Sequence, residues 1–133
     1  MRSDDWYIYK LKLSTMTMED SDIVIDDITW KQFIIQALGK THGLFGQGVE
    51  QHILDTKKIL IAEEYMNIAY VQVSKIDDKV FGNAINTYIN YSLIDDKPLV
   101  CTVLQKTDEF EKLEVNEEEK LWKKKLLEKL EEQ

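Results

Sequence analysis

The spacing of the apolar residues changes several times along the chain, and this succession limits the fold more than any other feature. Residues 6–15, WYIYKLKLST, alternate with a period of two, which is typical of a half-buried strand. Residues 28–38 carry apolar side chains three and four residues apart, which indicates an amphipathic helix. Both patterns recur, in the order strand, helix, strand, strand, helix, strand, followed by one more helix. This order predicts an α+β, ferredoxin-like (RRM-like) β-α-β-β-α-β sandwich with an additional C-terminal helix.

The individual elements differ in how well their patterns define them. Residues 67–74 form a clear strand, and Pro98 opens the last strand, where a missing N–H is tolerated. Asp77 and Asp78 precede the second helix. Its apolar stripe comprises Val80, Phe81, Ala84, Ile85, Tyr88 and Ile89. The register around residues 49–64 is not fixed by the pattern, and the conformation of 55–67 stays open. We therefore expect a sandwich over residues 1–106 and an acidic linker with a charged helix over 107–133.

The segment GKTHGLFGQGVE, residues 39–50, contains a Gly-Lys-Thr tripeptide but does not fit a phosphate-binding loop. A P-loop needs a second glycine five residues earlier, where this chain has Ile34, and it must open a helix after a strand. Gly39 is instead predicted to end the first helix. Leu44 is predicted to enter the core, while the pattern leaves Phe45 equally suited to the core and to a partner.

The charge balance argues against a free-standing nucleic-acid binder. The chain has a formal net charge of −8, and its only arginine is Arg2. Arginine is the usual bidentate ligand of phosphate and of guanine, so a protein-facing role fits better. The single cysteine, Cys101, excludes an internal disulfide, and no apolar run reaches membrane-spanning length. The N-terminus lacks a secretory signal, so we expect an intracellular protein that does not bind membranes.

No constellation of catalytic, cofactor-binding or metal-binding residues is predicted. The chain has two histidines, His42 and His52, whose spacing matches neither a catalytic triad nor a helical zinc pair. Four Asp-Asp pairs occur, and those at residues 26–27, 77–78 and 95–96 are explained by helix caps and a turn.

Several apolar and basic side chains are candidates for interactions. Trp6, Ile8 and Tyr70 are expected on the sheet face away from the helices, under either a partner chain or the C-terminal helix that carries Trp122. Base stacking on that face is the less favoured interpretation, because the RRM motif of a basic residue and a glycine is missing. The candidates for partner contact are Trp6, Ile8, Phe45, Tyr70 and Trp122. The weaker candidates for RNA contact are Lys10, Lys12, Lys123, Lys124 and Lys125, each of which also fits a solvated face.

Five segments in the same order give the chain a resemblance to a known family. They are ITWKQFIIQALGKTHGLFGQGVE (28–50), AYVQV (69–73), FGNAINTYIN (81–90), PLVCTVLQ (98–105) and LEVNEEEKLWKKK (113–125). Together they resemble the small fungal protein subunit of ribonuclease P and ribonuclease MRP known as subunit eight of the Pop family.

The resemblance implies a non-catalytic subunit without a cofactor, in an enzyme whose RNA performs the hydrolysis. It implies a heterodimer with the related, basic Pop-family subunit five, further protein partners, and mostly indirect contact with the RNA. The expected processes are 5′ leader removal from precursor tRNA and precursor rRNA processing, in the nucleus and nucleolus. The alternative is a free-standing ferredoxin-like domain that binds a small ligand or has a regulatory role.

Overall fold

The computed structural model describes residues 5–15, 24–61, 64–91, 93–94, 97–113 and 119–131. Within these residues the chain forms five strands and three helices. The strands are β1 (Trp6–Thr15), β2 (Gln51–Ile61), β3 (Glu64–Ser74), β4 (Ile89–Asn90) and β5 (Leu99–Thr107). The helices are α1 (Asp27–Gln47), α2 (Asp78–Thr87) and α3 (Lys120–Glu131). The predicted α+β class, the order of elements and the extra C-terminal helix are confirmed.

The sheet is antiparallel, with strand order β2-β3-β1-β5-β4, and β4 adds a short edge to the ferredoxin-like arrangement. Central β1 pairs with β3 on one side and with β5 on the other. The segment whose register the sequence leaves open belongs to the β2–β3 hairpin, where Thr56 lies opposite Ala69. A register shift between Ile53 and Asp55 bends β2, which explains why no single alternation fits that strand.

Helices α1 and α2 cover one face of the sheet and enclose the main core. Every second residue of β1 points into it, as the alternation predicts. The helices contribute Trp30, Phe33, Ile34, Ala37, Leu38, Phe81, Ala84 and Ile85. Burial of each large apolar side chain stabilises the fold by roughly 1.5–3 kcal/mol. The buried part of each predicted stripe therefore holds the sandwich together. The stripes are wrong at their ends, because Ile28 is 68% exposed and α2 ends at Thr87, so Tyr88 and Ile89 lie beyond the helix.

The glycines of α1 do not act as the sequence predicts. The helix starts at its expected N-cap, where the Asp26 carboxylate accepts a hydrogen bond from the Thr29 N–H at 2.7 Å. It then continues through Gly39, and the non-helical residue is Gly43, with φ 56° and ψ −130°. The prediction that Gly39 ends the helix is wrong, because an interior glycine costs only about 1 kcal/mol relative to alanine. The positive φ at Gly43 is the conformation that requires glycine.

The other face of the sheet is covered as well. Ile8 and Tyr70 are buried there, so β1 is enclosed on both faces and the prediction of a half-buried strand is wrong. The covering element is α3, which the sequence places on the sheet or on a neighbour without deciding between them. In this structure α3 lies on its own sheet.

Candidate protein interface and the covered sheet face

The cover of the second sheet face is centred on Trp122 of α3. Its ring lies 4.2 Å from the ring of Tyr70, centroid to centroid, and 6.3 Å from the ring of Phe110. The ammonium of Lys57, on β2, lies 4.2 Å from the centre of the Trp122 ring. Burial lowers the pKa of Lys57, while the neighbouring Asp55 acts in the opposite direction. The indole is therefore held between an aromatic layer on the sheet and a cation over its ring.

A buried ion pair also links α3 to the sheet. Lys10 of β1 donates to the Glu119 carboxylate at 3.2 Å, and their side chains are 9% and 0% exposed. Glu119 lies one residue before α3 and three residues before Trp122, so both side chains face the sheet where the helix begins. A buried charge whose partner is removed is costly, so this pair favours one position of α3 on the sheet.

Lys123 gives the start of α3 a third attachment. Its ammonium donates to the backbone oxygens of Glu111 at 2.6 Å and Leu113 at 2.7 Å. These carbonyls belong to the short 3₁₀ turn Phe110–Lys112 and the residue that follows it. The turn, Lys123 and the indole thus form one packed unit over β1, β2 and β3.

The structure brings together some of the predicted interaction residues and separates others. Ile8 and Tyr70 lie under α3 and Trp122 packs on them, so with α3 in place Tyr70 cannot stack on a base or touch a partner. Trp6 is half-buried, with its ring 5.8 Å from that of His52. Phe45 is 86% exposed at the far end of α1.

The five lysines predicted as weak RNA contacts have different environments. Lys10 is buried in its ion pair, and Lys123 is bonded to backbone carbonyls. Lys12 lies 3.7 Å from Glu64. Lys124 and Lys125 are exposed on α3 and remain accessible to a phosphate.

The last turn of α1 exposes a side chain that was expected inside. Leu44 is 83% exposed, so the prediction that it enters the core is wrong. Gly43 turns the backbone before Leu44, and Gly46 is buried against the backbone of Leu38. That packing leaves Leu44 and Phe45 on the outer side of the turn. Ile76, between β3 and α2, is 93% exposed, and a lone apolar residue in the polar sequence KIDD was the signal that could have identified it.

The polar contacts around Asp78 join elements of the fold to one another. Asp78 accepts hydrogen bonds from the Tyr9 hydroxyl and from Lys106, the latter at 2.6 Å. Burial, together with the Asp78 carboxylate, raises the pKa of Tyr9, and burial raises the pKa of the Cys101 thiol. A thiol with a raised pKa is a poor nucleophile. Among the described residues, no group of three or more His, Cys, Asp or Glu side chains could hold a metal ion.

Comparison with known proteins agrees with this architecture. The family model of the ribonucleases P/MRP protein subunit Pop8 matches residues 5–88. The chain belongs to the Pop8 family. A yeast relative, the ribonucleases P/MRP protein subunit POP8 of Saccharomyces cerevisiae, is 31% identical over 125 residues, covering 93% of this chain and 88% of the relative.

A solved structure extends the Pop8 likeness to three dimensions. A chain of the cryo-EM structure of yeast ribonuclease MRP is 31% identical and superposes with a TM-score of 0.76. The superposition covers 96% of this chain and 92% of the yeast chain, so it includes α3 as well as the sandwich. In the part of the chain that the structure describes, no helix is both long and apolar enough to span a bilayer.

Proposed function

We propose that this protein is a non-catalytic subunit of the ribonuclease P and ribonuclease MRP ribonucleoproteins. In this role it takes part in 5′ leader removal from precursor tRNA and in precursor rRNA processing, in the nucleus and nucleolus. The single observation that carries the proposal is the likeness to a chain of yeast ribonuclease MRP over 96% of this chain. Hydrolysis belongs to the RNA of the particle, and this chain helps to fold and clamp that RNA.

The main contacts of this subunit are with proteins. The net charge of −8 opposes close approach to an RNA backbone, whose binding depends on neutralising phosphates with cations. The sheet face that an RRM uses for stacking is occupied by α3, with Tyr70 fully buried. The RNA is therefore contacted mostly indirectly, and Lys124 and Lys125 are the predicted lysines best placed for any direct contact.

The principal partner is a related, basic subunit of the same fold, and the two form a heterodimer. A partner of opposite charge associates faster with an acidic chain, and the complementary charges fix how the two proteins are oriented. The same charge discourages pairing with a second copy of itself. Other protein subunits of the particle complete the set of partners.

The test is a pull-down of the tagged full chain from its source cells at moderate salt, with sequencing of the bound RNA. We expect enrichment of the ribonuclease P RNA, the ribonuclease MRP RNA and a related basic subunit. Recovery of neither RNA would overturn the proposal. It would favour the ligand-binding alternative, for which the depression of about 330 Å³ lined by Asp27, Lys31, Gln51, His52 and Ile53 is the first site to probe.

A further inference from the structure

We propose that the end of the molecule carrying Leu44, Phe45 and Ile76 docks into an apolar pocket on a basic protein subunit of the same particle. We call these three side chains the apolar end. The proposal rests on the proposed function, and it names the surface through which this chain would bind its protein partner in the particle.

The apolar end is the most exposed apolar feature of the described residues. The exposed fractions of Leu44, Phe45 and Ile76 are 83%, 86% and 93%, and no other large apolar side chain described exceeds 70%. Single exposed apolar residues are common on protein surfaces, but a group of them marks an interaction site. Large apolar side chains also supply most of the binding energy at protein interfaces when a pocket desolvates them.

Two segments that are distant in sequence bring these residues to one end. The last turn of α1, beyond the kink at Gly43, carries Leu44 and Phe45, and the β3–α2 connection carries Ile76. The Glu50 N–H donates to the Asp77 carboxylate at 2.9 Å, and the Ser74 N–H donates to the Glu50 oxygen at 3.1 Å. These two hydrogen bonds tie the residues that follow α1 to the β3–α2 connection, so the three side chains lie at the same edge of the fold.

The projecting turn is held in its conformation before any partner arrives. The Gly48 N–H donates to the Phe45 oxygen at 3.3 Å, and the Val49 N–H donates to the Gly46 oxygen at 3.2 Å. Gly46 lies so close to the Leu38 carbonyl that an added Cβ would overlap it. A turn fixed in this way loses little conformational entropy on binding, which favours insertion into a preformed pocket.

Charge decides between the possible occupants of this surface. Leu44, Phe45 and Ile76 offer no cation to a phosphate. The side chain that joins the two segments is the Asp77 carboxylate, which accepts a hydrogen bond from the Glu50 N–H, and Glu50 carries a second, exposed carboxylate one residue before β2. This combination disfavours RNA. A second copy would bring together two chains of net charge −8, whereas a basic protein would be attracted.

The experiment places a photo-crosslinking benzoylphenylalanine at position 45 of the tagged full chain, expressed in source cells. The exposed, aromatic Phe45 makes this a mild change. After irradiation the tag is recovered, and the adducts are identified by mass spectrometry together with the bound RNA. We expect the probe at position 45 to form an adduct with a basic protein subunit of the particle. The same probe at position 28 should form no adduct with that subunit. Ile28, 68% exposed at the other end of α1, serves as the matched control site.

The other outcomes separate the two proposals. If the particle RNA co-purifies but the probe crosslinks to RNA, to a second copy of this chain or to no molecule, the apolar end is not the docking surface. The proposed function would then remain intact. Absence of the particle RNA would overturn both.

A second measurement uses the triple variant L44S/F45S/I76S and the control V24S/I28S, which removes comparably exposed side chains. The triple variant should recover the particle about 30-fold less well, as expected when central anchors are truncated. An equal loss in the control, or no loss in the triple variant, would refute the proposal.

Discussion

Replacement of Trp122 by alanine should destabilise the protein because the indole fastens α3 to the sheet. Its ring packs at a tilt of 31° on the ring of Tyr70, 4.2 Å away, lies 6.3 Å from the ring of Phe110, and is covered by the ammonium of Lys57. An aromatic pair contributes about 0.5–1.5 kcal/mol beyond burial, and a partly exposed cation–π contact about 0.5–1 kcal/mol. A fully buried tryptophan costs about 3–5 kcal/mol when truncated, and half of that suits a half-buried ring. These ranges add to about 2.5–5 kcal/mol, and because a truncation cost already includes part of the ring contacts, we expect a loss of about 3 kcal/mol.

The assay is urea unfolding followed by far-UV circular dichroism at pH 7, with thermal unfolding as a second readout. A loss of about 3 kcal/mol corresponds to a fall in Tm of roughly 10 °C for a chain of this size. The control is Leu121→Ala on the same helix, where the side chain is 62% exposed. We expect less than about 0.5 kcal/mol for the control. If both variants lose the same small amount, α3 does not rest on the sheet and the account of the covered face is refuted.

Three further predictions concern the ion pair, the glycines of α1 and the alkaline limit of stability. Lys10→Met should lower the free energy of unfolding by about 3 kcal/mol, because Glu119 stays buried without this cation. A double-mutant cycle with Glu119→Gln should give a coupling energy above about 1 kcal/mol. Additive effects of the two substitutions would exclude the ion pair. Gly39→Ala should stabilise the protein by about 0.5–1 kcal/mol, whereas Gly43→Ala should destabilise it by about 1–3 kcal/mol because the φ of Gly43 is positive. If the urea midpoints change in the opposite order, the helix ends at Gly39 and not at Gly43. The free energy of unfolding should fall as pH rises above about 9, because the unfolded chain releases the protons of Tyr9 and Cys101 while their raised pKa values retain them in the folded state. A flat stability curve between pH 8 and pH 11 would contradict this.

The local patterns of the sequence were sufficient for the ferredoxin-like order, because alternation and helical spacing report which side of each element is buried. These patterns were insufficient where two conformations of a segment have nearly the same free energy. Gly39 fits both a helix end and a helix interior, and the helix breaks instead at Gly43, with φ 56°. The exposure of Leu44 follows from that break and from the packing of Gly46 against Leu38, which joins residues through the fold and not through their spacing.

The second sheet face could be predicted only in part. A need for a cover over Ile8 and Tyr70 was readable from β1 and β3, but an amphipathic α3 fits its own sheet and a neighbouring protein equally well. The deciding contacts join Lys10 to Glu119 across the chain and Lys57 to Trp122. No short-range pattern reports such pairings, and the bulge in β2 hides the position of Lys57 further.

The central claim is that the sheet face of this subunit is covered and its contacts are mainly with proteins. The most direct test is ultraviolet crosslinking of the purified particle followed by mass spectrometry of nucleotide adducts, since short-wavelength light joins bases to aromatic side chains that stack on them. The account predicts no adduct on Tyr70, Phe110 or Trp122, while other subunits of the same sample carry adducts. A nucleotide attached to Tyr70 would mean that α3 moves away in the particle and that RNA occupies the sheet, which would contradict the claim.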